Sequence, residues 1–304
     1  MAMRWIKLGQ LYVPRGNHPK LRSHAANPLP VHLKDNVYRV FFSGRDKDNR
    51  SSVGAVDIDI EKKIVVSEYE VPFFEYGSPG SFYDAGVSVG NCYVAGTQRY
   101  MLFMGWQNPS DGHWRGDIGR LRVTDSLRLE SDSDVPLMGI DDIDPVSLSY
   151  PWVEQVEGGS FLMWYGSTIT WDAGNGEMLH VINSAVSQDG HTWIRKGVSV
   201  PYQIGVAQAF SRPTVIRDQD GFHMWFSFRG GLGRTYRIGY AVSHDGQSWE
   251  LRLQDAGIDV SATGWDSEMI EYPFVFDHAG QRYMLYNGNG YGKTGFGLAV
   301  LSNE

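Results

Sequence analysis

The chain has 304 residues, with 36 Gly, 10 Trp, 16 Tyr, 14 Phe and one cysteine, Cys92. This composition does not suit helical bundles, which rely on Ala, Leu, Glu and Lys, and one cysteine excludes a disulfide framework and a multi-cysteine zinc site. The net charge of −8 disfavours nucleic acid and anionic lipid as partners. No stretch predicts a signal peptide or a membrane-spanning helix. We therefore expect a β-rich cytoplasmic protein with no nucleic-acid or membrane partner.

Five segments of the chain share one pattern, in which an aromatic residue opens a short apolar run that ends in a small or polar residue. In chain order they begin at Tyr38, Tyr100, Phe161, Phe222 and Tyr283, so successive starts are 62, 61, 61 and 61 residues apart. A constant period of this length is typical of a repeat architecture.

Each segment has similar neighbours. About ten residues upstream lies a short apolar strand, for which proline is a suitable first residue. Four of the five repeats open this strand with a residue followed by proline, which we call the residue–proline step. These steps are Asn27-Pro28, Tyr150-Pro151, Arg212-Pro213 and Tyr272-Pro273. In the second repeat, Asp84-Ala85-Gly86 takes the place of the step. A third strand follows each segment. In two repeats, Ser187–Trp193 and Ser243–Trp249 predict an Asp-Gly turn into a fourth strand.

Four short antiparallel strands per repeat, repeated five times, predict an all-β five-bladed β-propeller. The fifth repeat stops after its third strand, and Trp5-Ile-Lys-Leu-Gly9 resembles the start of a fourth strand, Trp193-Ile-Arg-Lys-Gly197. We expect the N-terminal strand to complete the last blade and to leave no exposed sheet edge there. Residues 1–304 would then form a single domain.

The loops that lead into the first strands of a propeller meet at one mouth of the central channel, which suits a small-molecule site. Three acids near these strand starts, Asp84, Glu268 and Glu271, are the predicted catalytic residues, because glycosidic cleavage needs one protonated carboxyl and one carboxylate. Arg212 is expected to hold one of them ionised. The alternatives are a structural ion pair between Glu271 and Arg212, and a turn-capping role for Asp84.

Other residues near this mouth are candidates for binding a saccharide. Trp106, Trp171 and Trp265 offer faces for sugar rings, with packing between blades as the alternative. Arg45 belongs to a charged run, which usually forms a solvated loop. The remaining candidates are His24, Asn27, Tyr83, Tyr150, Arg212, Arg229, Asp266, Asn287 and Lys293. The histidines lack the spacing of a metal site, so neither a metal nor a cofactor is expected.

The chain resembles the five-bladed glycoside hydrolases of families 32, 43, 68 and 130 over essentially its whole length. It is most similar to glycosidase-like proteins associated with bacterial polysaccharide biosynthesis. The segments that carry this resemblance are Ser149–Trp152, Gly264–Pro273 and Tyr286–Gly297, together with the Asp-Gly-x-x-Trp turns.

The sequence departs from the characterised families at the positions of their acids. Families 32 and 43 have an essential Asp at the start of the first blade, where this chain has Asn27, and their third-blade acid is replaced by Ser149-Tyr150. The Asn-Pro step is more similar to family 130, whose members cleave mannosides with phosphate bound by basic residues. That resemblance implies a phosphate-binding role for Arg212, Arg229 and Lys293.

These patterns leave three hypotheses for function. The first is a glycoside hydrolase-like enzyme acting on a glycoside or activated sugar by carboxylate acid–base catalysis, with phosphorolysis or transfer as its variants. The second is a non-catalytic carbohydrate-binding propeller, and the third is a protein-interaction scaffold. The fold alone does not distinguish them, because propellers host unrelated functions.

Overall fold

The computed structural model describes residues 3–110, 112–231 and 233–302, and in these residues the chain is built from twenty β-strands. Regular helix is confined there to two 3-10 turns, Glu157–Gly159 and Leu253–Asp255. The all-β class expected from the sequence is therefore confirmed. None of the helices described is long and apolar enough to cross a membrane.

Antiparallel pairing sorts the strands into five sets of four. Set 1 contains β2 (Ser23–Lys34), β3 (Val37–Arg45), β4 (Ser51–Asp59) and β5 (Ile64–Glu68). Set 2 contains β6 (Gly86–Ala95), β7 (Gln98–Gln107), β8 (Arg115–Val123) and β9 (Leu129–Ser131). Set 3 contains β10 (Ser147–Gln155), β11 (Phe161–Thr170), β12 (Leu179–Ser187) and β13 (Ile194–Val198). Set 4 contains β14 (Ala209–Asp218), β15 (Gly221–Arg229), β16 (Arg237–Ser243) and β17 (Glu250–Leu251). Set 5 contains β18 (Glu271–His278), β19 (Gln281–Asn287), β20 (Phe296–Leu301) and β1 (Trp5–Tyr12).

The N-terminal strand β1 completes set 5 by pairing antiparallel with β20, from Trp5 opposite Leu301 to Tyr12 opposite Phe296. This is the arrangement that the sequence predicts. The Tyr12 hydroxyl also donates to Glu68 Oε1 at 2.8 Å, so β1 connects set 5 to set 1. The two ends of the described chain therefore hold one sheet together.

The repeated aromatic segments form the second strand of each set. Their large rings are almost fully buried, as in Phe41, Phe103, Trp164, Trp225 and Tyr286. Burial of such rings removes more apolar surface from water than any other side chain offers, which accounts for the aromatic content of the chain.

In four of the five sets the first strand carries a bulge at its residue–proline step. The residue before proline has a positive φ in all four cases, namely Asn27 (57°), Tyr150 (37°), Arg212 (47°) and Tyr272 (53°). This conformation is costly for residues other than glycine. The pairing register shifts across each step, and such bulges turn side chains away from the regular pleat.

Set 2 differs from the expectation based on the sequence. Its bulge lies between Val89 and Cys92, so Gly90-Asn91 takes the place of the residue–proline step. Asp84-Ala85-Gly86 does not occupy that place, because β6 begins only at Gly86 and Asp84 lies in the preceding loop. The repeat period alone did not reveal this offset, since set 2 has no proline to mark the position.

Candidate functional site

A central cavity of about 460 Å³ lies where the inner strands and their loops converge. All five sets contribute to its wall, which places it at the mouth that the sequence predicts. Its size falls in the usual range for small-molecule sites. The lining residues are Ala26, Asn27, Ser43, Arg45, Asn49, Ser51, Ser88, Met104, Trp106, Asn108, Trp114, Ser149, Tyr150, Met178, His180, Phe210, Ser211, Arg229, Tyr236, Tyr272 and Tyr291.

The wall combines aromatic rings with hydroxyl and amide groups. Trp106 is held in place by a hydrogen bond from its Nε1 to Ser51 Oγ at 3.0 Å. Trp114 packs edge-on against Trp171, with ring centroids 4.9 Å apart, and Trp171 stacks on His113 at 4.6 Å. Flat rings beside short polar side chains suit a ligand that has both C–H faces and many hydroxyl groups.

Glu271 is the buried acid beside this cavity. It opens β18, is fully buried, and neither of its carboxyl oxygens has a hydrogen-bond partner among the described residues. Burial raises its pKa well above the ordinary value, while the charges of Arg229 and Arg45 and the backbone at Tyr291 oppose the rise. Burial is the largest of these effects, so the site favours the protonated carboxyl over the carboxylate.

Three tyrosines surround Glu271 and line the cavity. The rings of Tyr150 and Tyr272 pack with centroids 5.4 Å apart, and Tyr236 lies under the Arg229 guanidinium at 4.9 Å. Burial is the main cause of the raised pKa of Tyr236 and of Tyr272. The negative charge of Glu271 in its ionised form adds to the rise. Burial likewise raises the pKa of Tyr150, so all three hydroxyls are neutral.

The two arginines of the wall differ in their charge balance. Arg229 pairs with Glu177, with Nη2 donating to Oε1 at 2.9 Å. Arg45 ends β3, and its guanidinium makes no ion pair or hydrogen bond within the described residues. Arg45 is therefore an uncompensated positive charge on the cavity wall.

Ser149 and His180 form a hydrogen-bonded pair in the wall that the sequence did not predict. His180 Nε2 lies 2.7 Å from Ser149 Oγ, and its Nδ1 lies 2.7 Å from Thr168 Oγ1. Burial lowers the pKa of His180 to about 3, so the ring is neutral and fixed between two hydroxyls. A Cβ on Gly166 would approach Ser149 Oγ to 2.1 Å, which explains the glycine that ends this repeat segment.

Arg212 does not pair with Glu271, contrary to the expected interaction. Its side chain is fully buried, and Nη2 donates to the carbonyls of Pro28 at 3.0 Å and Gly90 at 3.4 Å. No described carboxylate lies within 4.0 Å of its guanidinium, and burial lowers its pKa to about 9. Arg212 therefore connects backbones of neighbouring sets and does not hold a catalytic acid ionised.

None of the three predicted acids is among the residues that line the cavity, and the other two differ from Glu271 in their surroundings. Asp84 Oδ2 accepts the backbone N–H of Gly80 at 2.8 Å, which is the turn-capping alternative. Glu268 has an exposed side chain, and its backbone carbonyl accepts hydrogen bonds from Thr235 and Arg237. The structure therefore does not bring Asp84, Glu268 and Glu271 into one pocket.

Five of the predicted binding residues line the cavity, and they are Asn27, Arg45, Trp106, Tyr150 and Arg229. Trp171 is not among the lining residues but packs against Trp114, which is. His24 is close to Arg45 and Lys293, and burial together with their charges lowers its pKa to about 4. The Lys293 side chain itself is exposed.

The remaining predicted residues have structural contacts. Asp266 is paired with Lys7 at 2.7 Å and accepts a hydrogen bond from Tyr286. Asn287 donates to the carbonyls of Ala25 and Gly295 and accepts from the Asn27 N–H, which joins set 5 to set 1. Trp265 packs against Tyr286, with ring centroids 5.1 Å apart. Tyr83 packs in an aromatic cluster with Phe74, Phe82 and Phe103.

Several residues of the wall were not among the predicted site residues. Among them are Asn49, Asn108, Trp114, His180, Tyr236 and Tyr291. All of these except His180 lie in loops between the second and third strands of their sets, where the repeat pattern is weakest. The only available signal was their position between strands that the repeat identifies.

The fold is that of the glycoside hydrolase-like β-propellers. A structure described as "Glycoside hydrolase" superposes with a TM-score of 0.74 at 15% identity, covering 100% of this chain and 92% of that one. Another, described as "The GH130 family of mannoside phosphorylases contains glycoside hydrolases that target beta-1,2 mannosidic linkages in Candida mannan", gives 0.72 at 12% identity, covering 99% and 94%. At such identities the likeness extends to the fold alone.

Sequence comparison defines a narrower family, although no protein-family model matches the chain. It is 45% identical over 304 residues to "Uncharacterized protein MT1551" of Mycobacterium tuberculosis (strain CDC 1551 / Oshkosh) and to "Uncharacterized protein Rv1502" of strain ATCC 25618 / H37Rv. Each alignment covers 99% of this chain and 100% of the relative. The chain belongs to the family of these mycobacterial proteins.

Proposed function

We propose that this protein is a carbohydrate-active enzyme that binds a glycoside or an activated sugar in the central cavity and uses Glu271 as its general acid. The observation that carries the proposal is the buried, unpartnered carboxyl of Glu271 beside a wall of aromatic, hydroxyl and amide groups. Perturbed acids beside a cavity are enriched at catalytic sites. The glycoside hydrolase-like fold supports a saccharide as the ligand.

The protonation state of Glu271 suits this role. A general acid must hold its proton at the working pH and give it to the leaving oxygen as the bond breaks. Burial keeps Glu271 protonated, and the positive charges of Arg45 and Arg229 stabilise the carboxylate that remains after transfer. Asp84 and Glu268 take no part in this proposal, since Asp84 accepts the Gly80 N–H in a loop turn and Glu268 is exposed.

The residues that line the cavity favour phosphorolysis or transfer over hydrolysis. Hydrolysis by two carboxyl groups needs a second acid, and no carboxyl lines the cavity in the part of the chain that the structure describes. An external phosphate nucleophile needs a cation instead, and Arg45 supplies one without a partner. The competing proposal is a propeller that binds saccharide without turnover.

The proposal extends to the organisation of the chain. Each set of four strands would be one blade of a five-bladed ring, with β1 as the last strand of the fifth blade. The whole chain would then be a single domain with one cavity at its axis. The parallel bridges between Ser51 and Gly86 and between His180 and Ala209, which link neighbouring sets, support this interpretation.

The test compares Glu271→Gln with Glu268→Gln, an exposed glutamate three positions away. Turnover would be measured on a panel of aryl glycosides and oligosaccharides, with and without inorganic phosphate. We expect Glu271→Gln to lower kcat by about 10²–10⁴-fold and Glu268→Gln to leave it unchanged. Saccharide binding by calorimetry should survive in both variants.

Equal turnover of the wild type and Glu271→Gln would contradict the acid role of Glu271. Binding of a saccharide with no turnover of any panel member by the wild type would favour the non-catalytic propeller. Turnover that requires phosphate, and that is lost in Arg45→Gln, would identify phosphorolysis.

A further inference from the structure

The guanidinium of Arg212 lies between the first strands of several sets. Arg212 comes from β14 of set 4, and its Nη2 reaches the carbonyl of Pro28 in set 1 and that of Gly90 in set 2. The Phe274 ring of set 5 lies 5.8 Å from its central carbon. Only 1% of the residue is exposed, and it is absent from the wall of the central cavity. The group is therefore sealed inside the molecule.

The hydrogen bonds of this guanidinium are incomplete. Its Nε and Nη1 atoms are buried and have no partner among the described residues. An arginine side chain has five N–H donors and no acceptor, and buried donors of this kind are nearly always paired. Leaving a buried donor unpaired is costly, and more so for a charged group.

The charge of Arg212 is also unbalanced. No carboxylate of the described residues lies within 4.0 Å of it. Two tyrosines, Tyr150 and Tyr272, act on it electrostatically, but both are neutral because burial raises the pKa of their hydroxyls. A lone buried cation is costly unless a counter-charge accompanies it. Water would satisfy the free donors but would leave this charge uncompensated.

We propose that Arg212 binds a small monovalent anion of halide size, such as chloride, through the N–H groups of Nε and Nη1. One negative charge balances one guanidinium, and the enclosing inner strands with the Phe274 ring favour a small, weakly hydrated ion over a large oxyanion. The bound anion would balance the charge of Arg212 while its Nη2 atom holds together the first strands of sets 1, 2 and 4. This site is separate from the saccharide site, and it does not depend on Glu271 acting as an acid.

The direct test is crystallographic and uses the wild-type protein. The protein would be refolded and crystallised with sodium bromide as the only halide, so that the anion is present when the buried site forms, and anomalous data would be collected at the bromine edge. We expect an anomalous peak within about 3.5 Å of Nε or Nη1 of Arg212. A peak found only on the molecular surface would indicate an adventitious ion only. That result, or a water without anomalous signal at Arg212, would overturn the proposal.

The second test measures thermal unfolding at constant ionic strength, with chloride replacing gluconate from about 1 to about 300 mM. A specifically bound anion raises Tm with the logarithm of its concentration, and we expect a rise of at least about 3 °C. The matched variants are Arg212→Met and Arg217→Met, the latter an arginine on the same strand that pairs with Glu157 on the surface.

The chloride dependence should persist in Arg217→Met and disappear in Arg212→Met. If Arg212→Met does not fold, the bromide experiment on the wild type decides the question alone. Equal Tm values of the wild type in chloride and in gluconate would contradict the proposal. Failure of the Glu271→Gln activity test would leave both measurements unaffected, because neither uses a saccharide.

Discussion

Glu268 and Glu271 are three positions apart in the same stretch of chain, yet their surroundings are opposite. Glu268 is exposed in the loop before β18, whereas Glu271 begins the strand and is fully buried. The same side chain is therefore exposed to water in one place and removed from it in the other. Burial, and not residue type, decides which of them can act as a proton donor near neutral pH.

The buried state of Glu271 predicts a pH dependence of stability. Between the ordinary pKa of a glutamate and the raised value in the folded protein, the unfolded chain loses a proton that the folded chain keeps. The free energy of unfolding therefore falls as pH rises through this range, by up to about 1.4 kcal/mol per pH unit. Its contribution is fully present below the unfolded pKa and is lost above the folded pKa.

The Glu271→Gln variant should remove this dependence, because an amide does not titrate. Urea unfolding at pH 5 and at pH 8.5 should show the variant gaining stability over the wild type as pH rises. Glu268→Gln is the control and should follow the wild type at both values. A constant difference between Glu271→Gln and the wild type across this range would contradict the raised pKa.

The residue–proline steps show how an element positions the site. In four sets the residue before proline has a positive φ, and the bulge at that point changes the pleat of the inner strand. Asn27, Tyr150 and Tyr272 thereby reach the cavity wall, while Arg212 points inside the molecule. Proline marked these positions in the sequence, but the direction of each side chain depends on the bulge.

The strand β1 carries a second prediction at this scale. Trp5 is 5% exposed and packs edge-on against Trp225 of set 4, with ring centroids 5.7 Å apart. Trp5→Ala would remove this contact and leave a cavity, so we expect a loss of about 3–5 kcal/mol in the free energy of unfolding. Ile6→Ala on the same strand is the control, because Ile6 is 46% exposed and should change stability by less than about 0.5 kcal/mol.

Urea denaturation monitored by circular dichroism would measure both variants. If Trp5→Ala lowers the free energy of unfolding no more than Ile6→Ala does, the packing of β1 does not stabilise the fold. The proposed closure of the last blade by the N-terminal strand would then be wrong as a source of stability.

At the scale of the molecule, the site exists only because all five sets meet. The cavity wall takes residues from each of them. The links between the first and last sets are polar, with a buried one where Asn287 bonds to Ala25 and Asn27 and a half-buried one from Tyr12 to Glu68. A set that lost its neighbours would expose its inner strand and its apolar faces together.

This mutual dependence predicts that the chain unfolds as one unit. Urea transitions followed by tryptophan fluorescence and by far-UV circular dichroism should coincide, as expected for a single cooperative domain. The same coincidence should hold in Trp5→Ala at a lower midpoint. Two separated transitions in the wild type would contradict the single-domain proposal.

Spacing and residue type in the sequence predict the strand order, the repeat of about 61 residues, the Asp-Gly turns and the pairing of the N-terminal strand with the end of the chain. These features are local or periodic, so spacing and residue type encode them directly. It also identified the region of the cavity, because the starts of inner strands converge in any propeller.

Only the tertiary structure decided which acid lies beside the cavity. Asp84, Glu268 and Glu271 share one chemistry and similar places in the sequence, but only Glu271 begins an inner strand. Side-chain direction at these strand starts depends on contacts with residues far away in the chain, as for His180 with Ser149 or Arg212 with Pro28 and Gly90. Burial, and with it charge state, follows from those distant contacts and not from the period of the repeat.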